Sequence, residues 1–274
     1  MLLCSNSGTH AANQGEKRYS LFEAVDFLAE VGFEAIDVNF CKTTFQSPEG
    51  REDCLDGDNW QENMYRLKAR IKEKGLVAAL SHLPFHFDYA SDVPVYEHPM
   101  MYRSIDACAI LNIPYAVFHP LSSKGTEKKT LVEETIQAYT PVAEYALKKG
   151  VMLAVENMKH TTAEELIGIS ERLNCGVCWD TGHANYGGVK QGESLRALGK
   201  RLKALHINDN YGKGDNHTPP FLGTIDWMEV MGALREIEYG GVFNYEIKNS
   251  RVPESARKEY AEYLVKVGKY LLSL

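Results

Sequence analysis

The sequence predicts an α/β protein, a single closed barrel of eight strand–helix units, (βα)8, spanning residues 1–274. Two observations carry this reading. Eight short apolar runs alternate with amphipathic segments along the chain, and the long connections after the first three runs contrast with short turns after the helices. A chain of 274 residues suffices for one such barrel and one large core.

The first run, residues 2–5, leads through a long loop to a helix over 21–31, opened by a capping box of Ser20 with Glu23 and stopped at Gly32. The second, 35–40, precedes a loop over 41–58 and a helix over 59–74 that stops at Gly75. Run 77–83 is followed by a loop over 84–98, and run 115–119 by a helix over 131–149 between the box Thr130/Glu133 and Gly150. Runs 152–157 and 176–180 flank a helix over 163–173 with the box Thr162/Glu165. Run 202–207 leads to a helix over 227–238, and run 242–247 completes the set. Pro253 and Glu254 open a last helix, which Tyr260, Leu264, Val267 and Leu271 lay back against the barrel. Barrels of this kind build their sites from the strand-to-helix loops, so the long loops should wall a pocket.

Composition narrows the function. Hydrophobic residues are 44% and charged residues 24%, as in ordinary soluble enzymes, and the formal net charge of −7 offers no general field for a polyanion such as nucleic acid. The amino terminus lacks the basic-then-apolar stretch of a secretory signal, and no apolar run approaches a membrane span, which predicts a cytoplasmic protein. Cys4, Cys41, Cys54, Cys108, Cys175 and Cys178 are scattered without disulfide-framework spacing and fit reduced thiols. Cys175 and Cys178, three apart on a strand, point to opposite faces and are read as packing residues. Association into a homo-oligomer is left open.

The last inward position of successive strands is His82, His119, Glu156, Asp180, His206 and Glu246; Ala154, Ala204 and Asn244 share the faces of Glu156, His206 and Glu246. His183, Asp215 and His217 lie just beyond strand ends. A lone histidine at a strand end is more often a hydrogen-bonded structural residue. Six consecutive strands ending in ionisable groups are another matter, because buried like charges cost several kcal/mol per ion unless a cation compensates them. Carboxylate and imidazole ligands without thiolate suit Mn²⁺, Mg²⁺, Co²⁺ or Zn²⁺. His10, His86, His98 and His160 are read as surface or packing residues, and Trp179, Trp227, Tyr186 and Phe85 as packing aromatics or pocket lining.

The segments Ala154-Val-Glu156-Asn, Cys178-Trp-Asp180-Thr-Gly-His183, Leu205-His206-Ile-Asn-Asp and Gly214-Asp215-Asn-His217 resemble the xylose-isomerase-like TIM-barrel superfamily over nearly the whole chain. That group embraces sugar and sugar-phosphate isomerases and epimerases, inosose dehydratases and endonuclease IV enzymes. The resemblance to ketose 3-epimerases implies that Glu156, Asp180, His206 and Glu246 hold one divalent ion. It further implies that Glu156 and Glu246 are proton acceptor and donor beside a substrate carbonyl, with His183 orienting a hydroxyl. The arginine such epimerases often carry shortly after the seventh-strand histidine is absent; Asn208, Asp209 and Asn210 follow.

The expectation is a metal-dependent isomerase or epimerase of a small carbohydrate, with an inosose-type dehydratase as a near alternative. The resemblance to endonuclease IV implies a multi-zinc phosphodiesterase instead, because His82, His119, Glu156, Asp180, His183, His206, Asp215, His217 and Glu246 match its ligands. Lys213, Lys248 and Arg251 sit where barrels often bind phosphate, although exposed lysines and arginines there are commonly only solvated.

Overall fold

Strand formation follows from where the β-branched and small apolar residues cluster, and a computed structural model describes the result for residues 1–10, 19–41, 55–85, 93–124, 129–248 and 252–274, with the backbone alone at His10. The expectations placed on the His10 side chain, His86, Cys54 and Arg251, and on most of the first three long loops, lie outside the described residues. The strands are β1 Leu3–Asn6, β2 Ala35–Asn39, β3 Val77–His82, β4 Tyr115–Phe118, β5 Met152–Glu156, β6 Gly176–Asp180, β7 Leu202–His206 and β8 Phe243–Tyr245. The helices are α1 Leu21–Val31, α2 Trp60–Glu73, α3 Pro99–Leu111, α4 Val132–Lys148, α5 Ala163–Leu173, α6 Thr181–Tyr186, α7 Gln191–Leu198, α8 Trp227–Glu236 and α9 Arg257–Ser273. Three of them, α3, α6 and α7, add to those read from the sequence.

All eight strands are parallel, paired in chain order from β1 to β7, with β8 on the far side of β1. Closure between β7 and β8 runs through Ile207, whose N–H donates to the Asn244 carbonyl at 2.8 Å while its own carbonyl accepts from Glu246 N–H at 3.1 Å. The chain therefore folds as a (βα)8 barrel. Every strand points the same way, so every strand end reaches the same rim.

Alternation along the strands divides the apolar residues into two cores. Large side chains such as Ile36, Phe118, Val155, Trp179 and Phe243 face outward against the helices. The barrel interior takes small or slender ones: Cys4, Ala35, Leu80, Val117, Ala154, Cys178 and Ala204. Cys175 packs in the outer core and Cys178 in the inner one, on opposite faces as their spacing requires.

Two capping boxes form as the sequence predicts, with Ser20 and Thr162 accepting from Glu23 and Glu165 N–H. Gly32, Gly75 and Gly150 adopt positive φ at the helix stops. The box expected at Thr130 and Glu133 does not form, since α4 has Leu131 at its cap with no side-chain cap bond. The reason is local pairing: Ser122 and Thr130 make an antiparallel bridge, which aims the Thr130 hydroxyl at Thr161 Oγ1 (2.9 Å), while Glu133 pairs with Arg172. Pro253 starts a short 3-10 turn over Glu254–Ala256 before α9 begins at Arg257. Among the described residues no helix is long and apolar enough to cross a membrane.

Candidate metal centre

At the carboxyl rim, β3, β5, β6 and β7 end in His82, Glu156, Asp180 and His206, while His119 and Glu246 stand one residue past β4 and β8. His183 lies in α6, and Asp215 and His217 lie in the segment between β7 and α8. The structure gathers nine of the ten residues singled out from the sequence into groups whose ligand-capable atoms lie within 4.8 Å of one another. These groups are Glu156–Asp180–His206–Glu246, His82–His119–Glu156 and His183–Asp215–His217, with His82–His206–Glu246 overlapping the first two. Lys248, the tenth, stands outside the groups at the rim, with Nζ 3.2 Å from Asp215 Oδ2.

Backbone carbonyls aim the histidines. His82 Nδ1 lies 2.8 Å from the Leu83 carbonyl, His183 Nδ1 2.9 Å from the Asn157 carbonyl and His217 Nδ1 2.7 Å from the Glu246 carbonyl. A carbonyl only accepts, so each Nδ1 carries the proton in the neutral ring and each Nε2 offers a lone pair. His82 Nδ1 is also 3.2 Å from the Cys41 thiol.

Asp180 is held from several sides. Its Oδ1 accepts from His183 N–H at 2.6 Å and its Oδ2 from Asn208 Nδ2 at 2.8 Å, while Asn157 clasps its backbone N–H and carbonyl at 2.6 and 2.9 Å. Asp209 organises the segment that carries Asp215 and His217. Its carboxylate accepts from the N–H groups of Asn210, Phe221, Thr224 and Ile225 and from Trp227 Nε1.

Burial would raise the Glu156 carboxyl, but the charge of His206 and the close imidazoles of His119, His183 and His206 outweigh it and hold it well below the usual range. Burial would lower His183, yet Asp180 and Glu156 push it up to about 10. Burial also opposes charge on His206, where nearby Cys178, Glu156 and Glu246 prevail and raise it well above its ordinary value. Burial raises Asp180 and Asp37 and lowers His119. His183 and His206 thus favour their protonated forms beside the carboxylates.

A divalent ion fits this donor set. Glu156 Oε2 is buried and makes no hydrogen bond, although it lies 3.3 and 3.2 Å from Nε2 of His82 and His119. Lone pairs converging without a proton between them are what a cation relieves. The donors are oxygen and imidazole nitrogen, matching Mn²⁺, Mg²⁺, Co²⁺ or Zn²⁺ chemistry.

Sequence reasoning overlooked Asp37, fully buried in β2 beneath this rim, along with Asn6, Asn157, Asn208 and Asp209. The signal for Asp37 was available: Ala35, Asp37 and Asn39 alternate inward, but no ligand stands at the end of β2 to draw attention to it. Trp179 and Trp227 are packing residues, buried and bonded to Gln191 and Asp209. Phe85 is a rim residue, stacked on His119 with centroids 4.7 Å apart. His98 caps α3, and His160 bonds the Gly187 carbonyl, so neither joins the site.

Residues 25–267 match the family model described as xylose isomerase-like TIM barrel. The chain is 28% identical over 173 residues to uncharacterized protein y4fM of Sinorhizobium fredii, covering 59% of this chain and 56% of that protein. It is 29% identical over 186 residues to a probable endonuclease 4 of Methanoculleus marisnigri (58% and 66% covered), and 30% identical over 129 residues to L-ribulose 3-epimerase of Methylomonas sp. (43% of each). The matches thus span from 43% to 66% of these relatives' lengths. Among solved structures, a D-psicose 3-epimerase crystallised in the presence of D-fructose superposes with a TM-score of 0.76 at 17% identity, covering 99% of both chains.

Proposed function

The chain belongs to the xylose isomerase-like TIM barrel family, and from that premise we propose that it is a divalent-metal-dependent isomerase or epimerase of a small sugar or sugar phosphate. The observation that carries the proposal is the placement of two glutamates on one imidazole: Glu156 Oε1 and Glu246 Oε2 lie 3.0 and 3.5 Å from His206 Nδ1. Glu156, Asp180, His206 and Glu246 would hold the ion, which supplies Lewis-acid polarisation of a carbonyl when bound.

The remaining chemistry belongs to the chain. One glutamate takes the proton from the carbon beside the carbonyl, and the bonding pair moves into the carbonyl group. The other returns a proton to that carbon from the opposite face, inverting it; for isomerisation the proton goes instead to the former carbonyl carbon, while the adjacent hydroxyl proton passes to the former carbonyl oxygen and the carbonyl re-forms on the neighbouring carbon. Glu156 is ionised and enclosed by histidines, while Glu246, with its side chain 21% exposed, faces the opening. His183 orients a substrate hydroxyl. Lys248, 55% exposed and tethered to Asp215, is placed to meet a phosphate if the substrate carries one. A dehydratase acting on a cyclic polyol ketone shares the first proton abstraction.

A second reading, multi-zinc phosphodiester hydrolysis, is favoured by one specific observation: the groups His82–His119–Glu156 and His183–Asp215–His217 flank the central one. The epimerase mechanism leaves His82, His119 and His217 of these groups without a role. Against this reading stands the net charge of −7, unsuited to a DNA backbone.

The test is a panel of ketoses, phosphosugars and inososes incubated with Mn²⁺ in D2O, beside an abasic DNA duplex with Zn²⁺. Metal-dependent deuterium incorporation next to the carbonyl supports the isomerase; strand cleavage without exchange on any sugar would overturn it.

A further inference from the structure

Asp37 is the one carboxylate that the barrel buries below the rim groups among the described residues, in the layer where the neighbouring inward side chains are Cys4, Ala154, Cys178 and Ala204. A carboxylate in such surroundings is costly unless something uses its charge. Both of its hydrogen bonds are made by one oxygen: Oδ2 accepts from Asn6 Nδ2 at 3.0 Å and from Asn244 Nδ2 at 2.9 Å, while Oδ1 is buried without a hydrogen-bond partner.

Facing it is a second orphan. His206 Nε2 is buried without a hydrogen-bond partner, 3.9 Å from Asp37 Oδ2. The other nitrogen, Nδ1, is turned to Glu156 and Glu246. For Nδ1 to lend its lone pair to an ion, the single proton of the neutral ring must sit on Nε2, which points into the barrel. A donor there needs an acceptor, and among the inward neighbours only the Cys178 sulfur, a weak one, stands near the ring. The 3.9 Å separation is roughly 1 Å beyond a hydrogen bond, so the contact asks the Asp37 side chain to turn toward the ring.

We propose that Asp37 is the positioning residue of His206: its carboxylate accepts the Nε2 proton, fixing the ring tautomer and aiming Nδ1 at the central metal cradle. Asn6 and Asn244 hold the carboxylate from below. The arrangement spans β1, β2, β7 and β8 and supplies an outer partner of the kind that raises the donor strength of a ligating histidine. It rests on the reading of Glu156, Asp180, His206 and Glu246 as metal ligands.

Two measurements on the full chain decide it. The first is chelator competition with Zn²⁺ alone, comparing the unaltered protein with Asp37→Ala and Asp37→Asn. Asp37→Ala is expected to weaken binding about 10- to 100-fold, and Asp37→Asn, which keeps an acceptor oxygen, by less. Equal affinities within twofold overturn the inference while leaving the metal cradle standing. Failure of the unaltered protein to bind Zn²⁺ overturns both. The second needs no variant and stands even where Asp37→Ala does not fold: nitrogen-15 correlation spectra of the Zn²⁺-loaded protein, with His206 assigned by its loss in His206→Gln. A proton on Nε2 that exchanges slowly is expected; a proton on Nδ1 overturns the proposal.

Discussion

His82 and His119 present their Nε2 atoms to each other at 3.1 Å, with Glu156 Oε2 at 3.3 Å from the first and 3.2 Å from the second. Because the Leu83 carbonyl occupies His82 Nδ1, the His82 Nε2 faces this contact as an acceptor. The pair therefore separates the two functional readings. Under the isomerase reading, His119→Gln leaves sugar kcat/KM within about tenfold, because the central cradle stays whole. Under the phosphodiesterase reading the same change removes one bound zinc per chain and with it DNA cleavage. Metal analysis beside both assays distinguishes them.

Glu156→Gln and Glu246→Gln are each expected to lower turnover by about 10²–10⁴-fold, the usual contribution of a positioned general acid or base. Far-ultraviolet circular dichroism should remain that of the unaltered protein. Full activity in either variant excludes the two-carboxylate mechanism.

The free and loaded proteins should respond differently to pH. The folded-state value of His183 is raised from 6.5 to about 10, so its stabilising contribution is complete below about pH 6.5 and is lost as pH rises toward about 10. Denaturant midpoints of chelator-treated protein should fall across that window. At neutral pH, Zn²⁺ uptake should release protons from the rim histidines, measurable with an indicator dye in weak buffer.

Asp209→Ala strips the acceptor from five donors, four of them backbone N–H groups in the segment holding Asp215 and His217. A loss of about 3–5 kcal/mol in unfolding free energy is expected from denaturant titration. A change under about 1 kcal/mol would show that the segment is held by other means.

Gly182 has no room for a side chain: a Cβ there would lie 1.8 Å from Asn208 Oδ1. Gly182→Ala must displace Asn208, which donates to Asp180 Oδ2 at 2.8 Å. Metal affinity should weaken by about tenfold, read by the same chelator competition, with no change expected at a metal-independent property such as the far-ultraviolet spectrum.

The barrel and most of its rim were legible in the chain itself. Runs such as 152–157 and 176–180 name their own strands because a parallel strand buried on both faces is apolar until its last inward position, where Glu156 and Asp180 break the pattern. Alternation then assigns the inward face from sequence alone, which is why His82, Glu156, Asp180 and His206 could be placed on one rim.

Relations between distant strands were not written there. Thr130 carries a capping signal, yet pairing of Ser122 with Thr130 gives its hydroxyl to Thr161. Asp37 reads as a single acid in a short strand, and only barrel closure brings Asn6, Asn244 and His206 around it. Periodicity is a local property, so the sequence by itself determined which residues face inward and at which end; how those side chains sort into groups depends on strand register and closure, which pair residues as far apart as Leu3 and Phe243 and exist only in the folded barrel.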